Sequence, residues 1–329
     1  MGIARSGSTL LIRESLKGGF QGAILQLGRQ DIYFTHESYA EQASKEGITL
    51  RTLPEITKRR NPYYPEIDTI DDHAYFRALG FDRVESVDAS QFEGATFMHD
   101  MNLPVPSELF EQYDVIYDGG TLEHIFNIPM VLKNIHSMLK PGGKIIHFSP
   151  VHNFVDHGFY DFSPCLFVDY YLANDYDICT ATLVGDRSPI DHADEPVLLE
   201  YVPGMLDKFS VGGLNRQVLG GADMLLLFFS AVKKTSSRGD VIPQQGFYTR
   251  AWKGGAQPNV RWPALQAERQ PRPVGGKRPF LSSRVVAVIS IIIGVVLLLS
   301  NLGWIAGGGS VVTRWSPVAL IAIGLYFLT

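Results

Sequence analysis

Residues Tyr113 to Pro150 read YDVIYDGGTLEHIFNIPMVLKNIHSMLKPGGKIIHFSP, and this stretch decides the fold. The apolar run DVIYD ends in an acid and is followed by Gly119 and Gly120. That order predicts a buried strand that opens into a tight loop. A helix is expected next, because apolar residues recur at the spacing of one buried face. These residues are Ile128, Val131, Leu132, Ile135 and Met138.

A second strand is predicted after this helix. Pro141-Gly142-Gly143 is expected to end the helix, and Lys144 to Phe148 form the next apolar run. Strand, loop, helix and strand in this order make a parallel crossover unit, which is almost always right-handed. Ligands of such sheets bind beyond the carboxyl ends of the strands, so the candidate binding residues are those that follow each run.

The same stretch resembles a known family. The segments DVIYDGGTLEHI and LKPGGKIIHFSP are similar to the central part of class I S-adenosylmethionine-dependent methyltransferases. With the flanking strands, the resemblance covers roughly residues 20 to 232. It implies a doubly wound, mostly parallel seven-stranded α/β sheet whose last strand is antiparallel, and S-adenosyl-L-methionine as the cofactor. The alternative is another doubly wound domain with a Pro-Gly-Gly turn.

The loop after the predicted first strand departs from this family. The strand is Ala23 to Leu27, and LGRQD follows it where the methyltransferases carry several glycines. Only Gly28 remains, although close approach of the backbone to a cofactor requires residues without a Cβ. This departure favours a second hypothesis, a non-catalytic scaffold or binding module of the same fold that has lost cofactor binding.

The resemblance also implies the other cofactor-binding residues. Asp88 ends the predicted strand Arg83 to Asp88, and a carboxylate there would bind the ribose hydroxyls; the alternative role is a helix N-cap. Asp100 and Met101 would contact the adenine, although an Asx turn before Pro104 explains Asp100 equally well. The residues placed at the methionine end are Asp118, Gly119, Gly120 and Glu123.

A polar and aromatic loop, VHNFVDHGFYDFSP, follows the second strand of the crossover unit at residues 151 to 164. Such a loop is expected to hold the acceptor. His157 or His152 could remove a proton from a hydroxyl or amine, because imidazole titrates near neutrality, and Tyr160 could orient the acceptor. A packed structural loop is one alternative. The other is a metal site, but no metal is expected, because these histidines lack a recognised ligand spacing: His124, His147, His152 and His157.

The remaining elements are predicted from periodicity and turn residues. Residues 32 to 80 form an insertion that must fold over the site or beside it, and Met1 to Ser6 are expected to be frayed. Helices are predicted at Glu37–Glu46, at Thr69–Leu79 with Thr69 as N-cap, and at Ser163–Ala173, with a loop at Lys58–Pro62. Further strands are predicted at Ala95–His99, Tyr176–Val184 and Asp223–Val232, with a cover over the sheet end at residues 185–221.

Charge is distributed unevenly along the 329 residues. Residues 1–232 carry 17 Lys and Arg against 32 Asp and Glu, whereas residues 233–284 carry 11 basic and 2 acidic residues. An acidic domain argues against a nucleic-acid partner, because phosphate contacts need clustered basic residues. The two cysteines, Cys165 and Cys179, show no metal or redox spacing and are expected to be reduced.

The C-terminal part predicts a membrane attachment. Residues 233–284 are basic and rich in Pro and Gly, which is typical of a linker. Residues 285–305 contain no charge and are long enough for a transmembrane helix, and the shorter run 315–328 predicts a second one. These runs resemble the two-helix region of LiaF-type membrane proteins; a buried globular hairpin and a truncated C-terminus are the alternatives. Basic residues before the first span place the large domain in the cytoplasm.

Together these features predict a membrane-tethered enzyme that transfers a methyl group to a small-molecule, sugar or lipid acceptor at the cytoplasmic membrane face. The rival hypothesis is the non-catalytic scaffold. A third hypothesis, a nucleotide-sugar or NAD-dependent enzyme on a similar sheet, lacks its own glycine fingerprint.

Overall fold

The structure is a computed structural model, which describes residues 2–18, 20–60, 68–186, 197–201, 224–246 and 248–249. The chain divides into two compact units, Met1–Pro263 and Ala264–Thr329, and every described residue lies in the first. The predicted spans at 285–305 and 315–328 therefore lie outside the described residues. Within the described part, no helix combines the length and apolar character that crossing a bilayer requires.

The first unit alternates strands and helices. The described helices are α1 (Arg5–Ser15), α2 (His36–Lys45), α3 (Asp72–Leu79), α4 (Ile128–Met138) and α5 (Pro164–Ala173). The described strands are β1 (Gly2–Ile3), β2 (Ala23–Leu27), β3 (Asp31–Ile32), β4 (Lys58–Arg60), β5 (Asp68–Ile70), β6 (Arg83–Asp88), β7 (Phe97–Met98), β8 (Tyr113–Asp118), β9 (Leu139–His152), β10 (Tyr176–Asp186), β11 (Val197–Glu200) and β12 (Met224–Lys233).

The main sheet has the strand order β11-β10-β12-β9-β8-β2-β6-β7. The five strands β9, β8, β2, β6 and β7 are parallel. From β2 the chain first adds β6 and β7 on one side and then β8 and β9 on the other side. This is a doubly wound α/β arrangement, and the gap between β2 and β8 is its topological switch point. β12 is antiparallel to both β9 and β10, as predicted for the last strand.

The expected number of seven strands is wrong, because β11 adds an eighth at the sheet edge. β11 lies in the segment predicted as a cover, and it pairs antiparallel with β10. Leu199 packs against one apolar cluster and Leu198 against the other, since successive strand residues face opposite sides of a sheet. This edge strand therefore extends both layers of the core.

Two apolar clusters sandwich the sheet. One contains Ile116 and the buried face of α4, whose five predicted residues are all buried. The other contains Ile24 and Tyr117 and packs against α1, α2 and α3. Successive residues of β8 face opposite clusters, so the central strands are buried on both sides, as parallel sheets require.

Two predicted element boundaries are wrong. The helix α4 ends at Met138, and the Pro-Gly-Gly turn lies inside β9, where the pairing shifts between Leu139 and Lys144. The N-cap of α3 is Asp71, whose carboxylate accepts the backbone N–H of Ala74 at 2.7 Å. Thr69 is not the cap, because it belongs to the hairpin that β5 forms with the predicted loop residues of β4.

The chain start is ordered rather than frayed. β1 pairs in parallel with β3, and α1 buries Leu11 and Ile12 completely. Glu14 at the end of α1 is also buried, and its carboxylate accepts hydrogen bonds from Lys144 at 2.9 Å and Ser230 at 2.8 Å. These contacts attach α1 to β9 and β12.

The described part of the insertion between β2 and β6 packs on the same face of the sheet as α1. The rings of Tyr39 on α2 and Tyr75 on α3 stack with centroids 4.4 Å apart. Asp72 on α3 is fully buried and accepts a hydrogen bond from Gln26 of β2 at 2.9 Å. α3 is therefore tied to the strand that leads into the switch point.

The first part of the predicted linker packs on the domain. The amide of Asn174, at the end of α5, donates to the carbonyl of Val241 at 3.0 Å and accepts from its N–H at 3.0 Å. The backbone N–H of Gly246 donates to Asp169 at 2.9 Å. Residues 238–246 thus lie along α5, beyond the predicted domain boundary at residue 232.

Candidate functional site

A cleft of about 410 Å³ opens at the carboxyl ends of β2, β6 and β8, at the switch point of the sheet. Its volume lies in the range of small-molecule sites. Five of the predicted cofactor residues line it, namely Gly28, Asp88, Asp100, Met101 and Gly120. The other three do not line it, as described below.

Gly28 forms the turn at the end of β2. Its φ is +66°, a conformation that residues with a Cβ rarely adopt, and its N–H donates to the carbonyl of Val87 at 2.8 Å. A Cβ at this position would lie 2.6 Å from Oγ1 of Thr121, which itself donates to the carbonyl of Leu27 at 2.5 Å. Thr121 can therefore pack against the turn at the end of β2 because residue 28 has no Cβ.

Arg29 and Gln30 replace the glycines expected in this loop, and both line the cleft. The guanidinium of Arg29 forms an ion pair with buried Asp72 at 3.0 Å. The amide of Gln30 folds back on its own turn and donates to the carbonyl of Gly28 at 3.1 Å. A Cβ on Gly119 would collide with Oε1 of Gln30. The loop is thus stabilised by two side chains instead of further glycines.

The two acids at the rim differ in their environment. Asp88 is half-buried at the end of β6, and its Oδ1 accepts the backbone N–H of Ser90 at 2.9 Å. Asp100 is exposed, and two hydrogen bonds from Asn102 hold its pKa below the ordinary value. The Asx turn proposed as an alternative for Asp100 is therefore formed. Neither side chain caps a helix.

Met101 lies between the cleft and the core. It lines the cleft but is only 5 % exposed, and it belongs to the apolar cluster on the α4 face. Asn134 of α4 donates to the carbonyl of Met101 at 3.1 Å. Met101 therefore presents a largely buried apolar surface to the cleft.

Asp118 and Gly119 do not line the cleft, and their contact with the cofactor stays a prediction. Asp118 is fully buried, and its Oδ1 accepts the backbone N–H groups of Thr121 at 3.0 Å and Leu122 at 3.1 Å. Its Oδ2 lies 2.8 Å from Nδ1 of His147. Asp118, the acid at the end of β8, thus stabilises the loop that carries Gly120 through these hydrogen bonds.

Glu123 also lies outside the cleft lining, in the short turn after that loop. Its side chain is 1 % exposed, and neither carboxylate oxygen has a hydrogen-bond partner among the described residues. Burial, reinforced by the charge of Asp118, raises the pKa of Glu123 to about 9. Its Oε1 lies 3.9 Å from Nε2 of His157.

His124 connects this buried acid to the cleft. It is exposed, lines the cleft, and its ring centroid lies 5.1 Å from that of His157. Burial, followed by the neighbouring His157, lowers the pKa of His124. Potential ligand atoms of Glu123, His124 and His157 all lie within 4.8 Å of one another. We call these residues the Glu-His-His cluster.

The loop after β9 brings His157 to this position. The N–H of Phe159 donates to the carbonyl of Glu123 at 2.8 Å. A Cβ on Gly158 would lie 2.9 Å from the same carbonyl, so glycine allows the two chains to approach. Tyr160 donates its hydroxyl to the carbonyl of Phe126 at 3.0 Å. The loop is thus anchored against the turn that carries Glu123.

The three predicted catalytic residues are not brought together equally. His157 joins the Glu-His-His cluster, and Tyr160 holds the loop at its side. His152 is exposed at the end of β9 and belongs neither to the cluster nor to the cleft lining. The structure therefore separates the two histidines that the sequence left as equal candidates.

Sequence reasoning missed Phe92, Thr121 and the role of Asp72. Phe92 lines the cleft while its side chain is 94 % exposed, and an isolated apolar residue in a polar loop was the available signal. Thr121 and Asp72 act through contacts with residues far away in the chain, for which a single sequence offers no signal.

Comparisons with known proteins address the two ends of the chain separately. The family model of the LiaI-LiaF-like transmembrane region matches residues 284–328. No curated protein matches the sequence significantly.

Solved structures similar to the domain are named as methyltransferases. Phosphoethanolamine N-methyltransferase 2 of Haemonchus contortus, in complex with phosphomonomethylethanolamine and S-adenosylhomocysteine, is 16 % identical over 69 % of this chain and 53 % of that chain, with a TM-score of 0.34. The N-methyltransferase NodS of Bradyrhizobium japonicum WM9 is 14 % identical over 70 % and 96 %, with a TM-score of 0.34. A putative methyltransferase of Bacillus halodurans C-125 is 10 % identical over 70 % and 100 %, with a TM-score of 0.38.

The chain thus spans about half the length of the first of these enzymes.

Proposed function

We propose that this protein is a membrane-tethered enzyme that binds S-adenosyl-L-methionine in the cleft and transfers its methyl group to a small-molecule, sugar or lipid acceptor. One observation carries the proposal. The carboxylate of Asp88 ends β6 beside a cleft at the switch point, where the turns of Gly28 and Gly120 both have positive φ. This combination suits a nucleoside whose ribose hydroxyls need an acceptor and whose chain runs close to the backbone.

The proposal assigns a role to each predicted cofactor residue that lines the cleft. Asp88 would accept the ribose hydroxyls, Met101 would contact one face of the adenine, and Asp100 would lie at its edge. Gly120 and the backbone near Gly28 would lie along the methionine portion. When bound, the cofactor supplies a methyl group on a sulfonium, which is already electrophilic. The chain must therefore chiefly hold the acceptor in line with it.

The acceptor would lie between the cleft and the loop after β9. His124 borders the cleft, and His157 lies on the far side of the Glu-His-His cluster, where it could remove a proton from a hydroxyl or amine. Phe126 and Phe159 are 70 % and 65 % exposed and contact each other edge to face. Exposed apolar rings beside a polar cluster suit an acceptor with both polar and apolar portions.

The membrane part of the proposal rests on the C-terminal segment. The match of residues 284–328 to a transmembrane family supports attachment to a membrane. Basic residues are concentrated before this segment, including Lys277, Arg278 and Arg284, which favours a cytoplasmic location for the domain. A lipid-linked or membrane-delivered acceptor would be available to an enzyme attached to the membrane in this way.

A second candidate function is a non-catalytic binding module. The observation that favours it is the replacement of the expected glycines by Arg29 and Gln30, whose side chains line the cleft. If these side chains exclude the cofactor, the same domain would serve as a membrane-bound scaffold.

Isothermal titration calorimetry of the full chain in detergent with S-adenosyl-L-methionine separates the two functions. Micromolar binding is expected, together with a loss of at least tenfold in affinity for Asp88→Ala. Glu108→Ala, which removes an exposed carboxylate outside the cleft, is the control and should bind normally. If the folded wild-type chain does not bind, the enzyme proposal fails and the scaffold replaces it.

A further inference from the structure

The Glu-His-His cluster has the composition of a metal site. It offers one carboxylate and two imidazoles, the donor set that divalent transition metals such as Zn²⁺ share in many enzymes. Three protein ligands would leave at least one coordination position open, which is typical of catalytic rather than structural metal sites.

Glu123 is the residue that requires an explanation. A carboxylate that is 1 % exposed and lacks hydrogen bonds to both oxygens is costly to bury, and such groups are normally paired or coordinate a metal. Asp118 lies close enough for its charge to disfavour ionisation of Glu123 further. A cation beside Glu123 would remove both penalties, because it would compensate the charge and occupy the free lone pairs.

The backbone holds the three residues in fixed proximity. Glu123 and His124 are adjacent in one 3₁₀ turn, and the hydrogen bond from Phe159 to the carbonyl of Glu123 fixes the opposite loop two residues after His157. Both imidazoles are exposed, and potential ligand atoms of all three residues already lie within 4.8 Å of one another. No other group of three potential ligands with this proximity occurs among the described residues.

We propose that Glu123, His124 and His157 bind one divalent transition-metal ion, with an open coordination position that faces the cleft. The position faces the cleft because His124 belongs both to the cluster and to the cleft lining. The ligand for that position would be an oxygen of the acceptor, a hydroxyl or a phosphate; this part rests on the proposed function, whereas metal binding itself does not. As a ligand, His157 would position the acceptor through the ion instead of acting as a free base.

Metal binding can be measured without any cofactor. The full chain, prepared without a histidine tag and stripped with a chelator, is titrated with Zn²⁺ by calorimetry and with Co²⁺ by visible absorption. We expect binding of one ion per chain and a Co²⁺ spectrum of low coordination number. Glu123→Gln, His124→Asn and His157→Asn should each weaken Zn²⁺ binding by at least about 100-fold, since even residues that only orient ligands commonly cost 10- to 100-fold.

The controls distinguish a site from adventitious binding. His152→Asn removes an exposed histidine just before the same loop and should leave Zn²⁺ affinity unchanged. Glu123→Gln keeps the shape of the buried side chain and removes its ability to ionise, so its melting temperature without metal should equal or exceed that of the wild type, while Zn²⁺ should no longer raise it. The proposal is overturned if the wild type binds Zn²⁺ and Co²⁺ no better than the three ligand variants do.

The outcomes also separate this inference from the proposed function. Cofactor binding without metal binding would reject the metal site and return His157 to the role of base. Metal binding without cofactor binding would keep the site and reject the methyltransferase.

Discussion

Oδ2 of Asp118 lies 2.8 Å from Nδ1 of His147, and both side chains are fully buried. Nε2 of the same imidazole lies 2.8 Å from the hydroxyl of Tyr171, so His147 connects the end of β8 with α5. The other oxygen of Asp118 accepts the N–H groups of Thr121 and Leu122. One histidine therefore supports the loop that borders the cleft, from a position that cannot contact any ligand there.

Replacement of this histidine should destabilise the fold. His147→Phe fits the aromatic surroundings of Phe167 and Phe229 but leaves Oδ2 of Asp118 with only the Ser149 hydroxyl at 3.4 Å. Loss of a hydrogen-bond partner of a buried carboxylate costs about 3 kcal/mol, which urea unfolding followed by circular dichroism would detect. Tyr171→Phe removes a single hydroxyl and should cost about 1 kcal/mol. If both variants lost the same free energy of unfolding, the hydrogen bond between His147 and Asp118 would not be the more important of the two contacts of the imidazole.

The turn at Gly28 provides a matched pair of glycine variants. Gly28→Ala and Gly47→Ala both place a Cβ at positive φ, which costs about 1 kcal/mol. Only the Cβ on Gly28 meets another residue, Thr121, whereas the Cβ on Gly47 has nothing within 4 Å. We therefore expect Gly28→Ala to lose more stability and to lose cofactor affinity, measured by thermal unfolding and calorimetry. Indistinguishable variants would show that the contact with Thr121 is not essential.

Phe92 offers a test of the cleft that leaves the core intact. Its side chain is 94 % exposed although it lines the cleft, so Phe92→Ala should not change the free energy of unfolding. If the ring covers the bound adenine, the variant should bind S-adenosyl-L-methionine about fivefold more weakly, in line with about 1 kcal/mol for an aromatic stack. Phe110→Ala, which removes a half-exposed ring outside the cleft, is the control. Unchanged affinity for Phe92→Ala would exclude the stack.

Acid sensitivity is expected from His136 on α4. Burial, followed by the charge of Lys233, lowers its pKa from 6.5 to about 4. Between these two values the unfolded chain binds a proton that the folded chain does not, so stability must fall as the pH decreases through this window. His136→Gln cannot take up that proton and can still bond the Tyr176 hydroxyl, which lies 2.7 Å from Nδ1 in the wild type.

When the pH is lowered from about 7 to about 4.5, the melting temperature of His136→Gln should therefore fall less than that of the wild type. His36→Gln on α2 is the control and should behave like the wild type. An identical pH dependence of wild type and His136→Gln would mean that other groups cause the acid sensitivity.

The crossover unit could be predicted from the sequence because its signals are local. The apolar stripe of α4 repeats at the helical period, and β2, β6 and β8 are apolar runs bounded by turn residues. The same reasoning missed the hairpin of β4 and β5, because strands of three residues have no measurable period. It missed α1 as well, whose polar residues Ser6, Ser8 and Glu14 are buried by distant partners.

The site was predicted in part for the same reason. Asp88 and Gly28 could be predicted because they lie at the carboxyl ends of apolar runs, and both line the cleft. The approach of Glu123 to His157 depends on a loop 34 residues further along the chain, which no local pattern encodes. The hydrogen bonds from Thr121 and Leu122 to Asp118 could not be predicted either, because a single sequence does not distinguish a buried carboxylate that accepts backbone N–H groups from one that binds a ligand.

The position of β12 has a consequence for the synthesis of this protein. β12 lies between β9 and β10, although more than 70 residues separate it from the former along the chain. Until residue 233 has been translated, the nascent chain must therefore carry the central strand β9 with an unpaired edge, a known template for aggregation. Residues 284–328 are translated later still, so the sheet can close before the membrane-directed segment exists. The order of translation thus allows the domain to be completed first and delivered to the bilayer afterwards.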